Sequence, residues 1–258
     1  MAISMKDKVV FVTGGGAGIG AATALEFARL GAKVMVCARR EQTLQAIAPR
    51  LRAAGASDVH TFVLDVCDRE AVATALAALP AAWQAVDVLV NNAGLSRGLA
   101  KMYEDDIENW EEMLDTNVKG LLYVTRAVVP GMVERNSGHV INIGSTAGHM
   151  TYAGGGVYCA SKAAERAITE GLRIDLNGTA VRVASVDPGM VQTDFSLVRF
   201  RGDAERAAKV YANVDPLTAE DIAETVVWIA TRKPNVMIQT VTMTPVAQAN
   251  AFVLSRRG

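Results

Sequence analysis

The sequence is poor in the features that mark disulfide-linked, metal-binding or membrane-spanning proteins. Its 258 residues include only three cysteines, which are scattered and form no CxxC pair. Cysteine and histidine do not recur at metal-ligand spacing, so we predict reduced core thiols and no metal site. No apolar run is long enough to cross a bilayer, and no charged-then-apolar leader precedes the first predicted strand. We therefore expect a soluble, cytoplasmic protein with no membrane partner.

The net charge is small, and the sequence shows no internal repeat and no inter-domain linker. The chain carries 26 basic and 27 acidic residues, for a net charge of −1. This balance gives no electrostatic reason to expect nucleic acid as a partner. Half of the residues are hydrophobic, which is enough for a large core that strands and helices share. Without a repeat or linker, residues 1–258 are predicted to form a single domain.

Apolar runs and amphipathic segments alternate from end to end, which is typical of βαβ units. We predict the α/β class: a single-domain doubly wound, Rossmann-type sheet of seven parallel strands with helices on both faces. The strands are expected at 8–13, 33–38, 59–64, 87–91, 138–144, 181–187 and 236–243. The helices are expected at 18–31, 41–54, 68–79, 106–134, 158–177 and 218–231.

One stretch, 189–216, shows no strong periodicity. A segment this long inside a compact domain is usually functional, so we predict a lid over a substrate. Arg199 and Arg201 in this segment would place two cations near the substrate mouth, where they could steer and bind an anion; the alternative is that both are solvated lid residues. A C-terminal tail follows the last strand, at about 244–258.

A glycine-rich segment, TGGGAGIG, follows the first predicted strand and opens the first helix. Backbone N–H groups and the helix N-terminus can there face a pyrophosphate. The spacing is GxxxGxG rather than the common GxGxxG, and the alternative is a plain turn of flexible glycines. The predicted dinucleotide contacts in this segment are Gly14, Gly16, Ala17, Gly18, Ile19 and Gly20.

The second strand ends without the acidic residue that would bind an adenosine ribose hydroxyl. Arg39 and Arg40 stand there instead. A guanidinium matches a 2′-phosphate in charge and geometry, so the pair favours NADP(H) over NAD(H). The alternative is that both arginines begin a solvated helix face.

Two later strand ends carry further candidates for cofactor binding. Asp65, next to Val66, could accept a hydrogen bond from the adenine amino group, or it could be a helix cap or loop carboxylate. Asn91, Ala93 and Gly94 lie at the carboxyl edge of the sheet, where such folds bind ligands. Asn91 could equally be a structural amide that joins two loops.

The chemistry is suggested by Tyr158 and Lys162, which share one face of a helix at i and i+4. A free phenol, with a pKa of about 10, is a poor base at neutral pH. A nearby ammonium and an oxidised nicotinamide both favour the phenolate, which could then exchange a proton with an alcohol or a carbonyl. Ser145, thirteen residues upstream, could bind the substrate oxygen. Together with the glycine loop, these residues predict hydride transfer to or from a nicotinamide.

The histidines do not support a different mechanism. Neither His139 nor His149 has a carboxylate partner at recognisable spacing, so no catalytic triad is predicted. The remaining role for His149 is to line the substrate pocket.

These motifs, with Asp187-Pro188-Gly189, resemble those of the short-chain dehydrogenase/reductase family over the whole chain. The resemblance implies a catalytic tetrad of Asn117, Ser145, Tyr158 and Lys162. In it, the asparagine distorts its helix and binds a relay water, and the lysine also holds the nicotinamide ribose. The resemblance further implies nicotinamide contacts from Pro188, Gly189, Val191 and Thr193.

Longer blocks, including the VRF segment at Val198–Phe200, are similar to one branch of that family. The branch comprises bacterial NADP-dependent serine/3-hydroxy acid dehydrogenases, which also act as malonic semialdehyde reductases, and related sulfoacetaldehyde reductases. It implies a homotetramer whose C-terminal tail reaches a neighbouring site. It also implies a small anionic substrate bound by Ser145, Tyr152, Tyr158 and Arg199. The alternatives are a reductase of larger uncharged ketones and a nucleotide-binding regulator without catalysis.

Overall fold

The computed structural model describes residues 3–256, so the ends of the predicted domain 1–258, and the last two residues of the predicted tail, lie outside the described residues. Its centre is one parallel sheet of seven strands in the order β3-β2-β1-β4-β5-β6-β7. The strands are β1 (Val9–Thr13), β2 (Lys33–Ala38), β3 (Asp58–Val63), β4 (Val88–Asn91), β5 (Gly138–Ile143), β6 (Val181–Pro188) and β7 (Thr240–Met243). The predicted fold class is confirmed.

Ten α-helices connect the strands within the described part of the chain. They are α1 (Gly18–Arg29), α2 (Glu41–Ala54), α3 (Arg69–Ala77), α4 (Ala81–Gln84), α5 (Ile107–Leu114), α6 (Leu121–Glu134), α7 (Gly156–Asp175), α8 (Phe195–Arg199), α9 (Ala204–Tyr211) and α10 (Ala219–Ala230). Across residues 3–256, none of these helices has both the length and the apolarity needed to cross a membrane.

Each face of the sheet packs against its own set of helices because successive strand residues point to opposite sides. Phe27 of α1, Ile47 of α2 and Ile229 of α10 pack on one face, against β1, β2 and β6. Val72 of α3 and Val128 of α6 pack on the other face, together with the end of α7. The five inner strands are buried on both sides, which explains their mostly apolar sequences, whereas the edge strands β3 and β7 are partly exposed.

The order of the sheet reverses between β1 and β4, which pair with each other although two βα units separate them in sequence. Connections leave this point toward opposite edges, so a crevice opens at the carboxyl ends of the two strands. The glycine loop after β1 and the segment after β4 both border that crevice.

Three predicted elements differ from the structure. The single helix expected at 106–134 is interrupted by a π-helical turn at Asp115–Gly120, which separates α5 from α6. The 189–216 segment contains α8 and α9, which are too short for their periodicity to stand out in the sequence. The last strand begins at Thr240 rather than at 236, because its pairing with β6 starts at Thr240, opposite Ser185.

His139, at the second position of β5, is buried without a polar partner. It is 2% exposed, and among the described residues neither ring nitrogen has a hydrogen-bond partner. Burial, and then the nearby Arg182 guanidinium, lower the pKa of His139 to about 3. The core therefore holds a neutral imidazole.

We expect His139 to make the fold sensitive to mild acid. As the pH falls, the unfolded chain takes up this proton near pH 6.5, whereas the folded protein does so only near pH 3. Protonation thus stabilises the unfolded state first, and by pH 5 the free energy of unfolding should fall by about 2 kcal/mol through this group. In His139→Leu, urea unfolding at pH 7 and pH 5 should show a smaller difference than in the wild type. Equal differences in the two proteins would contradict this prediction.

Candidate active site

A cavity of about 540 Å³ lies in the crevice at the carboxyl edge of the sheet. Its walls are the glycine loop, the segment after β4, the N-terminal part of α7 and the lid, which we define as residues 189–216. Its size falls in the usual range for small-molecule sites. Most of the predicted site residues border this cavity: Gly14, Ala17, Gly18, Ile19, Arg40, Ala93, Gly94, Ser145, Tyr152, Tyr158, Lys162, Pro188, Gly189, Val191, Thr193 and Arg199.

The glycine loop brings backbone to the cavity wall where a side chain would obstruct it. Gly14 and Gly18 have φ values of +63° and +52°, a region that L side chains rarely adopt. A Cβ on Gly20, the third residue of α1, would lie 2.5 Å from the Gly14 carbonyl oxygen. A Cβ on Gly18 would be 3.6 Å from Thr193, so the loop faces the start of the lid across the cavity. Gly16 instead packs tightly against Thr43 of α2.

A hydrogen-bonded clamp joins this loop to the end of β4. The Asn92 side chain donates to the Thr13 carbonyl at 2.9 Å, and the Asn92 backbone N–H donates to the Thr13 hydroxyl at 3.0 Å. The Ala93 N–H donates to the same hydroxyl at 3.1 Å. The clamp fixes the relative position of the two loops that border the crevice.

The two arginines after β2 are exposed, and only Arg40 reaches the cavity wall. In residues 3–256 neither guanidinium has a carboxylate within ion-pair distance. Both charges are therefore available to an anionic ligand at this end of the cavity.

The residues predicted at the end of β3 lie outside the cavity wall. Asp65 accepts a hydrogen bond from the Cys67 N–H at 3.0 Å, as a loop carboxylate does, and the cap of α3 is Asp68. Val66 is buried against Gly120 of the π-helical turn. Their contact with a cofactor stays a prediction.

Asn91 has its side chain in a buried polar network. Its Nδ2 donates to Asn142 of β5 at 2.9 Å and to Thr125 of α6 at 3.1 Å. Asn142 in turn donates to Thr169 of α7 at 2.8 Å. The amide therefore ties the sheet to two helices on one face, which is the structural alternative that its sequence position left open.

Tyr158 and Lys162 lie one turn apart on α7, and both border the cavity. Each is 7% exposed. The Lys162 ammonium donates to the Ile143 carbonyl at the end of β5 and to the Glu165 carboxylate, at 2.8 and 2.7 Å. Burial alone would lower the pKa of Lys162, but Glu165, and then Tyr158, raise it above its usual value. The ammonium is thus held charged beside the phenol.

Ser145 follows β5 and, like Tyr158, borders the cavity. It caps a short 3₁₀ turn, and its hydroxyl accepts a hydrogen bond from the Ala147 N–H at 3.1 Å. This bond orients the hydroxyl oxygen. The hydroxyl itself donates to the Pro188 carbonyl at 3.5 Å, a long bond that a ligand oxygen in the cavity could replace.

Asn117 lies in the π-helical turn and is 1% exposed. Its Oδ1 accepts from the Leu95 N–H, and its Nδ2 donates to the Leu95 carbonyl and to the Ser161 hydroxyl, at 2.8, 2.8 and 3.0 Å. A Cβ on Gly94 would be 3.3 Å from this Oδ1 and 3.7 Å from the Lys162 ammonium. Asn117 therefore lies behind the segment after β4, close to the lysine, with both Nδ2 protons in use.

The segment after β6 is held by the C-terminal tail, which the site prediction did not include. The Gln248 side chain accepts a hydrogen bond from the Met190 N–H at 2.7 Å and also borders the cavity. Arg256 donates to the Val210 carbonyl of α9 at 3.1 Å. Within this chain, the described part of the tail thus contacts the lid of its own subunit.

Arg199, the last residue of α8, lies over the catalytic end of the cavity. Its guanidinium carbon is 5.6 Å from the centre of the Tyr158 ring and 5.1 Å from that of Phe195. It donates to the Tyr152 hydroxyl at 3.3 Å, and its buried Nε has no partner within the described residues. Burial raises the pKa of Tyr152 to about 12 even though Arg199 opposes it, so that neighbour is a neutral phenol. Among residues 3–256 no carboxylate lies within ion-pair distance of this guanidinium.

The second lid arginine, Arg201, does not face the cavity, contrary to the expectation of two free cations at the substrate mouth. It donates to Asn109 at 2.8 Å and pairs with Glu112 at 3.1 Å. Arg97 pairs with the same carboxylate at 2.5 Å and donates to the Val198 carbonyl. Burial would raise the pKa of Glu112, but the two guanidinia hold it below its usual value. Arg201 therefore ties the lid to α5.

His149 has a carboxylate partner that the sequence analysis missed. Its Nε2 lies 2.5 Å from Oδ2 of Asp187, thirty-eight residues away on β6. Asp187 also contacts the Ser185 hydroxyl. His149 does not border the cavity, so the expectation that it lines the substrate pocket is not met.

Known proteins with similar sequences or structures cover nearly the whole chain. Residues 8–202 match the short chain dehydrogenase family. An NADP-dependent 3-hydroxy acid dehydrogenase of Salmonella typhi is 52% identical over 244 residues, which is 94% of this chain and 97% of the relative. A relative of the same description from Schizosaccharomyces pombe is 40% identical over 98% of both chains. The structure of a closed serine dehydrogenase with NADP⁺ matches with a TM-score of 0.90 and 48% identity, covering 96% of this chain and 99% of that one.

We call the glycine loop and the start of α1, residues 14–20, the cradle. We expect two glycine substitutions to distinguish the close packing of the cradle from the effect of helix propensity on stability. Gly20→Ala places a methyl group against the Gly14 carbonyl oxygen, so it should lower the free energy of unfolding by about 1–3 kcal/mol. Gly171→Ala, in α7, meets nothing within 4 Å and should raise it by about 0.5–1 kcal/mol. Chemical denaturation of both variants measures the difference. A neutral or stabilising Gly20→Ala would mean that the loop is not closely packed.

Proposed function

The chain belongs to the short-chain dehydrogenase family, as its motifs predicted, and on this basis we propose that it is an NADP(H)-dependent oxidoreductase of small anionic hydroxy acids and their aldehydes. The relatives named as NADP-dependent 3-hydroxy acid dehydrogenases support the cofactor and the hydroxy acid class. The observation that carries the proposal of an anionic substrate is the position of Arg199 over Tyr158, with no carboxylate of residues 3–256 within ion-pair distance.

The residues at the adenine end of the cavity fit NADP(H). The positive φ of Gly14 and Gly18 and the absence of a Cβ at Gly20 leave room for a pyrophosphate at the N-terminus of α1. Arg39 and Arg40 have no carboxylate partner among residues 3–256, and guanidinia suit a 2′-phosphate. NADP(H) supplies or accepts the hydride at its nicotinamide ring.

The proton is handled by the side chains at the other end of the cavity. We assign Tyr158 as the acid and base that exchanges a proton with the substrate oxygen. Lys162 favours its phenolate and would hold the nicotinamide ribose with a free N–H group. Ser145 donates to the same substrate oxygen and steadies the developing charge. Asn117 would relay protons through a water that donates to it, because both of its Nδ2 protons are already in use.

Arg199 gives the proposed site its substrate preference. A half-buried guanidinium that pairs with no carboxylate of residues 3–256 gains more from a carboxylate or sulfonate than from a neutral group, and it can bind both oxygens of such an anion at once. The guanidinium carbon lies 5.6 Å from the centre of the Tyr158 ring, which supports an anion that is joined by only a few bonds to the oxygen that exchanges the proton. The substrate would therefore be small, of the malonic semialdehyde, serine or sulfoacetaldehyde type.

A reductase of larger uncharged ketones is the second candidate. Apolar side chains in the cavity wall, including Leu99, Phe195 and Val198, favour it. We also propose a cytoplasmic homotetramer, as the family resemblance implies, which light scattering in solution would test.

We expect the arginines after β2 to determine the cofactor. Arg40→Asp should weaken NADPH binding about ten- to a hundredfold and NADH binding much less, because it removes a charge-assisted contact to the 2′-phosphate. Arg39→Asp should act in the same direction. Fluorescence titration with both nucleotides measures the ratio of affinities. The control Arg50→Asp changes an exposed arginine within α2, the helix that Arg39 and Arg40 precede, and should leave the ratio unchanged.

We expect Arg199→Ala to discriminate between the two candidate substrates. It should lower kcat/KM for malonic semialdehyde at least tenfold and spare an uncharged aldehyde of similar size, since only the anion loses its partner. The control is Arg201→Ala, which removes a lid arginine that is paired with Glu112. An equal fall for both substrates in Arg199→Ala would mean that the arginine supports the lid. No fall would favour the uncharged ketone.

A further inference from the structure

Helix α7 carries a third buried polar residue on the face that holds Tyr158 and Lys162. Glu165 follows Lys162 by three positions and Tyr158 by seven, so the three side chains share one stripe of the helix. Glu165 is 2% exposed, which is rare for a glutamate and requires a partner. None of the roles assigned above uses it.

The Glu165 carboxylate helps to determine where the Lys162 ammonium points. An ammonium has three donor hydrogens. One is donated to the Ile143 carbonyl and one to Oε2 of Glu165, at 2.8 and 2.7 Å. A single donor remains for the cavity, where Lys162 meets the proposed ribose and Tyr158.

We propose that Glu165 is a positioning residue for the reaction: it holds the Lys162 ammonium at the cavity wall and, when ionised, opposes the stabilisation of the Tyr158 phenolate by that ammonium. This inference rests on the proposed function, because it assumes that Tyr158 exchanges the proton. The charge on Glu165 would then help to set the pH range in which the enzyme oxidises its substrate.

The surroundings of Glu165 allow its charge to change near neutral pH. Oε1 is buried and has no hydrogen-bond partner in the described part of the chain, so the ionised form is poorly solvated. Burial raises the pKa of Glu165 to about 7, with Asp187 adding to the shift and Lys162 opposing it. The charged groups that face it are Lys162 on its own helix and Asp187 on β6, and Asp187 in turn contacts His149.

The size of the effect on Tyr158 follows from the helix. Seven positions at a rise of about 1.5 Å per residue place the Cα atoms of the two residues about 10 Å apart, which we take as the scale of the charge separation. At that separation and an effective dielectric constant of about 20, a unit charge shifts a titration by about one pH unit. Removing the negative charge favours the phenolate, so the rise of the oxidation rate with pH should move to lower pH.

The test is the pH profile of kcat/KM for NADP⁺ reduction with 3-hydroxypropionate. Glu165→Gln keeps an oxygen that can accept from Lys162 but removes the charge, so its profile should move down by about one pH unit with little change in NADP⁺ affinity. Glu165→Leu removes the hydrogen bond as well, so it should also weaken NADP⁺ binding. The control Glu170→Gln removes an exposed charge from the same helix and should change neither quantity.

An unchanged profile in folded Glu165→Gln, judged by its circular dichroism and its NADP⁺ titration, would overturn the inference. So would a shift in His149→Gln that Glu165→Gln does not show, since the titrating pair would then be His149 and Asp187. Tyr158→Phe distinguishes a failure of the proposed function from a failure of the inference about Glu165. If it keeps more than a few per cent of kcat, the proposed function fails; if it is inactive and Glu165→Gln is unaltered, only the inference fails.

Discussion

The buried ammonium of Lys162 is the interaction on which the proposed site depends. A charge that is 7% exposed must be met by fixed polar groups, because the water that would otherwise solvate it is excluded. Those groups come from two elements, the Ile143 carbonyl at the end of β5 and the Glu165 carboxylate on α7. Lys162 can satisfy both only when α7 is docked on the sheet. The position of the proton-handling residues is thus tied to the packing of the core.

The cradle at the other end of the cavity depends on a backbone constraint. The chain must turn from β1 into α1 within a few residues while keeping its N–H groups toward the crevice, which positive φ at Gly14 and Gly18 permits. The Asn92 clamp then holds the turn against the end of β4. Since β1 and β4 are neighbours only after the sheet has formed, the cradle is completed by tertiary structure.

The lid borders the cavity, and its two arginines differ in what they contact. Arg201 is neutralised by Glu112 of α5, whereas Arg199 enters the cavity without a carboxylate partner in residues 3–256. Two residues apart in sequence, the arginines have opposite roles because α8 ends between them and turns the chain: Arg201 has a φ of +51°. The tail adds Gln248 to the base of the lid, where it accepts from Met190.

Sequence alone determined the order of strands and helices, the fold class, the glycine loop and the spacing of Tyr158 and Lys162. Each of these is a local matter of periodicity, backbone freedom or one helical turn. It did not reveal the break in the 106–134 helix, the pairing of His149 with Asp187, the separation of Arg199 from Arg201 or the burial of Glu165 beside the lysine. These depend on contacts between residues far apart in the chain, or on which helix face meets the sheet. Such contacts exist only once packing has chosen the neighbours of each side chain, so only the tertiary structure could decide them.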